Sequence, residues 1–126
     1  MKRITIVVGA SPKPERYSNR AVRTLLERGH NVVPLNPAYP EIENISCVSR
    51  FSEVKDPVDT VTLYLAPQHQ QGLADDLIAL RPQRVIFNPG TENPELQLKL
   101  KTAGIPYINA CTLVLLNTNR YGSPDI

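Results

Sequence analysis

Gly9-Ala10-Ser11-Pro12-Lys13-Pro14-Glu15-Arg16-Tyr17-Ser18-Asn19-Arg20 follows directly on the apolar run Ile4-Thr5-Ile6-Val7-Val8 and leads into a segment of helical spacing. A glycine that ends a strand lets the backbone turn tightly and leaves room for a ligand to approach. Small and hydroxyl residues keep that room open, and Lys13, Arg16 and Arg20 stand close by. Strand, loop and helix N-terminus together form a site for a phosphorylated ligand, because free N–H groups and the helix dipole both favour anions.

Outward from that stretch, short β-branched runs alternate with helical patterns, the signature of stacked βαβ units and a parallel sheet. Strands are expected at Ile4–Val8, Asn31–Leu35, 58–65, Arg84–Phe87 and 106–108. The first helix should take Ser18 as its N-cap, bury Val22, Leu25 and Leu26, and stop at Gly29. A second, over 68–80, carries Leu73, Leu77 and Ile78 on one face, with Asp75 and Asp76 towards water. A third starts at Pro94, buries Leu96, Leu100 and Ala103, and ends at Gly104. Residues 38–56 are irregular apart from a short helix around 51–54, 112–116 form an apolar segment that closes the core, and 117–126 read as a polar tail. One doubly wound α/β domain accounts for residues 1–126.

The totals fit that class. With 126 residues, 41% hydrophobic and 21% charged, the chain suffices for one domain with a single core. A formal charge of +2, with the basic residues dispersed, argues against nucleic acid as a partner. No apolar run reaches membrane-span or signal-peptide length, so a cytoplasmic protein is expected. Cys47 and Cys111 lie far apart without metal-ligand spacing and read as free thiols.

Ligands of open α/β sheets bind beyond the carboxyl ends of the strands. The residues there are Gly9-Ala10-Ser11, Asn36-Pro37, Ala66-Pro67, Asn88-Pro89-Gly90 and Asn109-Ala110, nearly all small, proline or amide. Such a rim suits a long ligand held by backbone groups; no acidic pair or Ser/His/Asp set converges on it. A dinucleotide fingerprint would need G-x-G-x-x-G and an acidic residue about 20 positions on. Only Gly9 is present and the second strand ends Pro34-Leu35-Asn36, so NAD is disfavoured, and NADP would want a cation at that strand end.

Read as G-A-S-x-K-P-x-R-x-S-x-R, Gly9 to Arg20 resembles the opening motif of the small bacterial CoA-binding-domain proteins, similar to the CoA-binding domain of the succinyl-CoA synthetase alpha subunit. The V-x-P-[LV]-[NS]-P pattern recurs at Val32 to Pro37. The resemblance implies a Rossmann-like five-stranded sheet, ordered 3-2-1-4-5 with helices on both faces, that binds coenzyme A or an acyl-CoA. It implies that Gly9, Ala10 and Ser11 contact the phosphates and that Lys13, Arg16, Ser18 and Arg20 surround the nucleotide. Asn36 and Pro37 would line the adenosine, with Ala66, Pro67, Asn88, Pro89 and Gly90 along the pantetheine arm. Many relatives carry a lysine after the second strand's proline; here Ala38-Tyr39 follows, and Tyr39 offers a ring for the adenine instead. The second domain that carries the synthetase's phosphorylated histidine has no counterpart, so ligase activity is not implied.

The leading expectation is therefore a binding protein for this small-molecule nucleotide, without an evident catalytic centre; whether it forms a homo-oligomer stays open. The alternative is an enzyme of the same fold using NADP or an acyl-CoA, with His69 or Glu92 at work. A third reading is an interaction module without ligand. His69 in a first helix turn is more often a solvated residue, Glu92 more often a helix cap, and His30 is expected on the surface at the opposite end of the sheet. Cys111, just past the last strand, stands where a pantetheine thiol would arrive; a mixed disulfide with coenzyme A is one reading of it, a buried inert thiol the commoner case.

Overall fold

In the computed structural model, which describes residues 3–122, the chain runs β1 (Ile4–Val8), α1 (Tyr17–Glu27), β2 (Asn31–Leu35), then a hairpin of β3 (Glu41–Ile42) and β4 (Ile45–Ser46). A 3-10 turn at Phe51–Glu53 leads to β5 (Val58–Leu63), and a second at Pro67–His69 to α2 (Leu73–Leu80). The remainder is β6 (Arg84–Phe87), α3 (Pro94–Thr102), β7 (Tyr107–Asn109) and α4 (Thr112–Asn117). The five long strands form one parallel sheet in the order β2-β1-β5-β6-β7.

β1 lies inside the sheet, and all five of its residues are buried. Ile4, Ile6 and Val8 face one core, shared with Val61, Leu63, Val85 and Phe87, and α2 and α3 cover it with Leu73, Leu77, Leu96 and Leu100. Val7 and Ile86 face the other, covered by Val22 and Leu25 of α1 and Leu116 of α4. Strand side chains alternate between faces, and each face carries its own helices, which is the doubly wound α/β arrangement expected.

The strand order differs from the expected 3-2-1-4-5 in one respect. Val58–Leu63 was expected outside the second strand, but it pairs with β1 on the side away from β2. The place beside β2 is held by a single parallel bridge between Leu35 and Val48, in which the Asn36 N–H donates to the Val48 carbonyl and the Val48 N–H to that of Pro34. Counted as a rudimentary third strand, that bridge restores the Rossmann order 3-2-1-4-5-6. One bridged residue has no alternation to display in a sequence. The segment then crosses the α2/α3 face, anchored by buried Phe51.

Several boundaries shift for local reasons. α1 begins at Tyr17 with Arg16 as N-cap, so Ser18 lies inside the first turn, and Leu26 is exposed. Its end is as expected: Gly29 takes a left-handed φ of 84°, and the His30 N–H reaches back to the Leu25 carbonyl. α2 starts only at Leu73, because Gly72 adopts a φ of 78° and separates it from the turn that holds His69. Residues 112–116 form most of α4, which buries Thr112 and Leu116 against the sheet. The expected polar tail contains Tyr121, which is buried, while 123–126 lie outside the described residues.

Candidate functional site

At the carboxyl ends of β1, β5 and β6 a cleft of about 280 Å3 opens, lined by Gly9, Ser11, Arg16, Tyr17, Ser18, Tyr64, Ala66, Pro89, Gly90 and Thr91. Its first wall is the β1–α1 junction. Gly9 has a φ of 81°, and a Cβ there would stand 2.9 Å from Leu65 Cδ2 and 3.2 Å from the Tyr64 carbonyl oxygen. Both the conformation and the close packing of the β5 end require glycine.

The N–H groups of Gly9 and Ala10 are not free for a ligand, since both donate to the Leu35 carbonyl, at 3.1 and 3.3 Å. Ala10 is wholly buried, so the phosphate contacts expected of Gly9 and Ala10 do not rest on their N–H groups. The free donors lie further along. Arg16 at the N-cap supplies no side-chain acceptor, and the helical ladder begins with the Arg20 N–H on the Arg16 carbonyl. The N–H groups of Tyr17, Ser18 and Asn19 therefore have no acceptor within the helix and point out of its positive end.

The loop before α1 is held by residues that the sequence motif did not single out. Buried Asn19 donates to the Ser11 carbonyl (2.9 Å) and to Glu43 Oε2 (3.1 Å). Arg23 donates through Nε to Asn19 Oδ1 and through Nη2 to the Pro14 carbonyl, both at 2.8 Å. Glu43 sits in the β3–β4 hairpin, where it and Asn44 take left-handed φ values of 52° and 63°. The hairpin thus fastens onto the start of α1.

The remaining expected residues divide. Ser11, Arg16, Ser18, Ala66, Pro89 and Gly90 line the cleft, whereas Lys13, Arg20, Asn36, Pro37, Tyr39, Pro67 and Asn88 do not. Arg20 places its guanidinium 5.4 Å from the centre of the Tyr17 ring. Asn36 donates to the Ala10 carbonyl at 2.8 Å and accepts from the Ala38 N–H, so it ties β2 to the loop. Pro37 and Tyr39 are exposed beside it. Pro67 borders a separate hollow of about 390 Å3 between α2 and α3. Asn88 is buried, donating to Thr62 Oγ1 and the Leu63 carbonyl and accepting from the Thr112 N–H. It fixes the β5, β6 and α4 ends to one another.

Tyr17, Tyr64 and Thr91 are cleft residues that sequence reasoning passed over; Tyr17 lay in the quoted motif, and Tyr64 fell inside the expected strand 58–65, which ends at Leu63. The Tyr64 hydroxyl is shielded from water and completes no hydrogen bond among the described residues. Its neighbours, the Thr62 and Thr112 hydroxyls, bond each other at 2.7 Å. Burial pushes the phenol up to about 12, so it stays neutral. His69 is exposed on its 3-10 turn and does not line the cleft. Glu92 accepts from the Gly90 N–H at 2.8 Å, and Asn93 caps α3 in its place, accepting from the Leu96 N–H. His30, expected on the surface, packs edge-on against Tyr121 at 4.9 Å.

Among the described residues, no group of three or more His, Cys, Asp or Glu side chains forms a metal site, and no helix is long and apolar enough to cross a membrane.

A family model for a CoA binding domain matches residues 3–117. The "Uncharacterized protein YneT" of Bacillus subtilis (strain 168) is 28% identical over 103 residues, covering 82% of this chain and 76% of that protein. The crystal structure of an uncharacterized protein matches with a TM-score of 0.87 at 39% identity, over 95% of this chain and 98% of the other. The dinucleotide-forming acetyl-coenzyme A synthetase 1 of Ca. Korarchaeum cryptofilum, solved with phosphate and ADP, shares the fold at a TM-score of 0.72 and 24% identity. That match covers 84% of this chain and 25% of the synthetase.

Proposed function

Because the chain belongs to the CoA binding domain family, we propose that its cleft at the strand ends binds coenzyme A or an acyl-CoA. The observation that carries this reading is the wall formed by Ser11, Arg16 and Ser18 at an uncapped helix N-terminus. The pyrophosphate sits against the N–H groups of Tyr17 and Ser18, with the Arg16 guanidinium neutralising it. From there the pantetheine arm follows Ala66, Pro89 and Gly90 along the cleft. The adenosine lies towards β2, where exposed Tyr39 offers its ring. Engagement of the Gly9 and Ala10 N–H groups moves anion capture from the glycine turn to the first turn of α1.

A thermal-shift and calorimetric panel of CoA, acetyl-CoA, NAD, NADP and FAD tests the reading, since a ligand that binds only the native state must raise Tm. CoA and acetyl-CoA are expected to stabilise the protein and the dinucleotides not. A charge-assisted hydrogen bond is worth about 1.5–3 kcal/mol, so Arg16→Ala should weaken CoA about 10- to 150-fold. No shift with either CoA species, or unchanged affinity in that variant, overturns the assignment of the cleft or of Arg16 respectively.

A further inference from the structure

Beyond the cleft, and sharing Tyr17, Tyr64 and Pro89 with it, a chamber of about 250 Å3 opens between the starts of α1 and α4. Its other walls are Asn88, Cys111 and Leu113. No acidic or basic side chain lines it. The Asn88 amide is turned inward onto Thr62, Leu63 and Thr112. What remains are two aromatic rings, a proline, a leucine and a thiol. The wall therefore changes character along the site, from a cation and helix N–H groups at α1 to an apolar surface at α4.

Position fits the change. Tyr64 follows β5, Asn88 and Pro89 follow β6, and Cys111 lies just beyond β7. Strands lie about 4.8 Å apart, so the three steps from the β1 tip to the β7 tip span about 14 Å. A ligand anchored by its phosphates at α1 and extended along the cleft brings its sulfur end to this chamber.

We propose that the chamber receives the acyl group of a short-chain acyl-CoA, so that the protein prefers the thioester to free CoA. This rests on the CoA reading of the cleft. An apolar cavity of about 150 Å3 holds a benzene molecule, so this one takes an acyl group of roughly four to eight carbons and not a long fatty chain. The rings of Tyr17 and Tyr64 and the side chains of Pro89 and Leu113 bury the methylenes.

The test is calorimetry on the full chain with CoA and with acetyl-, butyryl-, hexanoyl- and decanoyl-CoA. Each methylene buried is expected to tighten Kd about fourfold up to hexanoyl, with decanoyl no better. Leu113→Trp fills the chamber and should abolish that gain while free CoA still binds. A second readout needs no packing change. In a Cys47→Ser background, butyryl-CoA should slow alkylation of Cys111 by iodoacetamide about tenfold more than desulfo-CoA, which has no thiol to consume the reagent, at equal saturation. CoA binding with a flat or weakening acyl series, or equal protection of Cys111 by both ligands, overturns the chamber assignment alone. Failure of CoA itself to bind removes the reading of the cleft as well.

Discussion

Gly9 is where the backbone of the site is decided, because a side chain there meets two obstacles at once. Its φ of 81° is strained for any L-residue, and an added Cβ lies 2.9 Å from Leu65 Cδ2. Gly9→Ala is expected to destabilise the protein by about 1–3 kcal/mol, read as a lower urea midpoint at unchanged slope. An unaltered midpoint would show that the β1 end relaxes freely. His30 acts through charge rather than shape. Burial lowers its pKa from the ordinary 6.5, Arg84 and Arg28 lower it further, and Asp59 opposes them. The folded protein then binds the proton less readily than the unfolded chain, so stability falls as pH drops through 6.5 towards the lowered value. Replacing it, as His30→Gln, should flatten the fall in Tm between about pH 7.5 and about pH 5; an identical slope in the variant would refute this.

At the scale of elements, the starts of the helices α1 and α3 are held by different devices. The α1 end has no side-chain cap, and Asn19 and Arg23 brace the loop before it from behind. That leaves the first-turn N–H groups facing the cleft. The α3 end is closed: Asn93 caps it, Pro94 occupies its first position, and Glu92 secures the turn at Gly90. Asn93→Ala should cost about 1 kcal/mol, within a range of about 0.5–2, measured by chemical denaturation. Pro94 was legible because proline suits a first helical position, and Gly29 because glycine suits the left-handed residue after a helix. Gly72 misled for the same reason, as a glycine inside an apolar helical pattern that starts a helix instead of continuing one.

In the whole molecule, the segment that follows α4 closes one face of the sheet through Tyr121. Tyr121 shares a hydrogen bond of 2.6 Å with Thr5 in β1. Arg84 of β6 stacks 4.4 Å from its ring centre and donates to its backbone carbonyl, while its Nε binds Thr60 of β5. One residue beyond α4 therefore joins three strands on the α1/α4 face. Tyr121→Ala removes a buried aromatic side chain and leaves Thr5 unpaired, so a loss of about 3–5 kcal/mol is expected. A thermal scan tests it, and a shift no larger than that of a surface substitution would show that the latch is dispensable.

Strand-to-helix alternation, the glycine that ends β1 and the cation-bearing start of α1 are local properties. Periodicity and turn chemistry specify them over a few residues, so they stand in the order of amino acids. The family motif lay in that same stretch. Which groups remain free was settled by contacts between residues far apart in the chain. Leu35 takes up the N–H groups of Gly9 and Ala10, Val48 supplies the missing outer strand, and Thr62 and Thr112 consume the amide of Asn88. Donors and acceptors are shared out only once the strands lie side by side. Hence the end of the sheet where the cleft opens was foreseeable, while its lining and the chamber beside α4 emerge from packing.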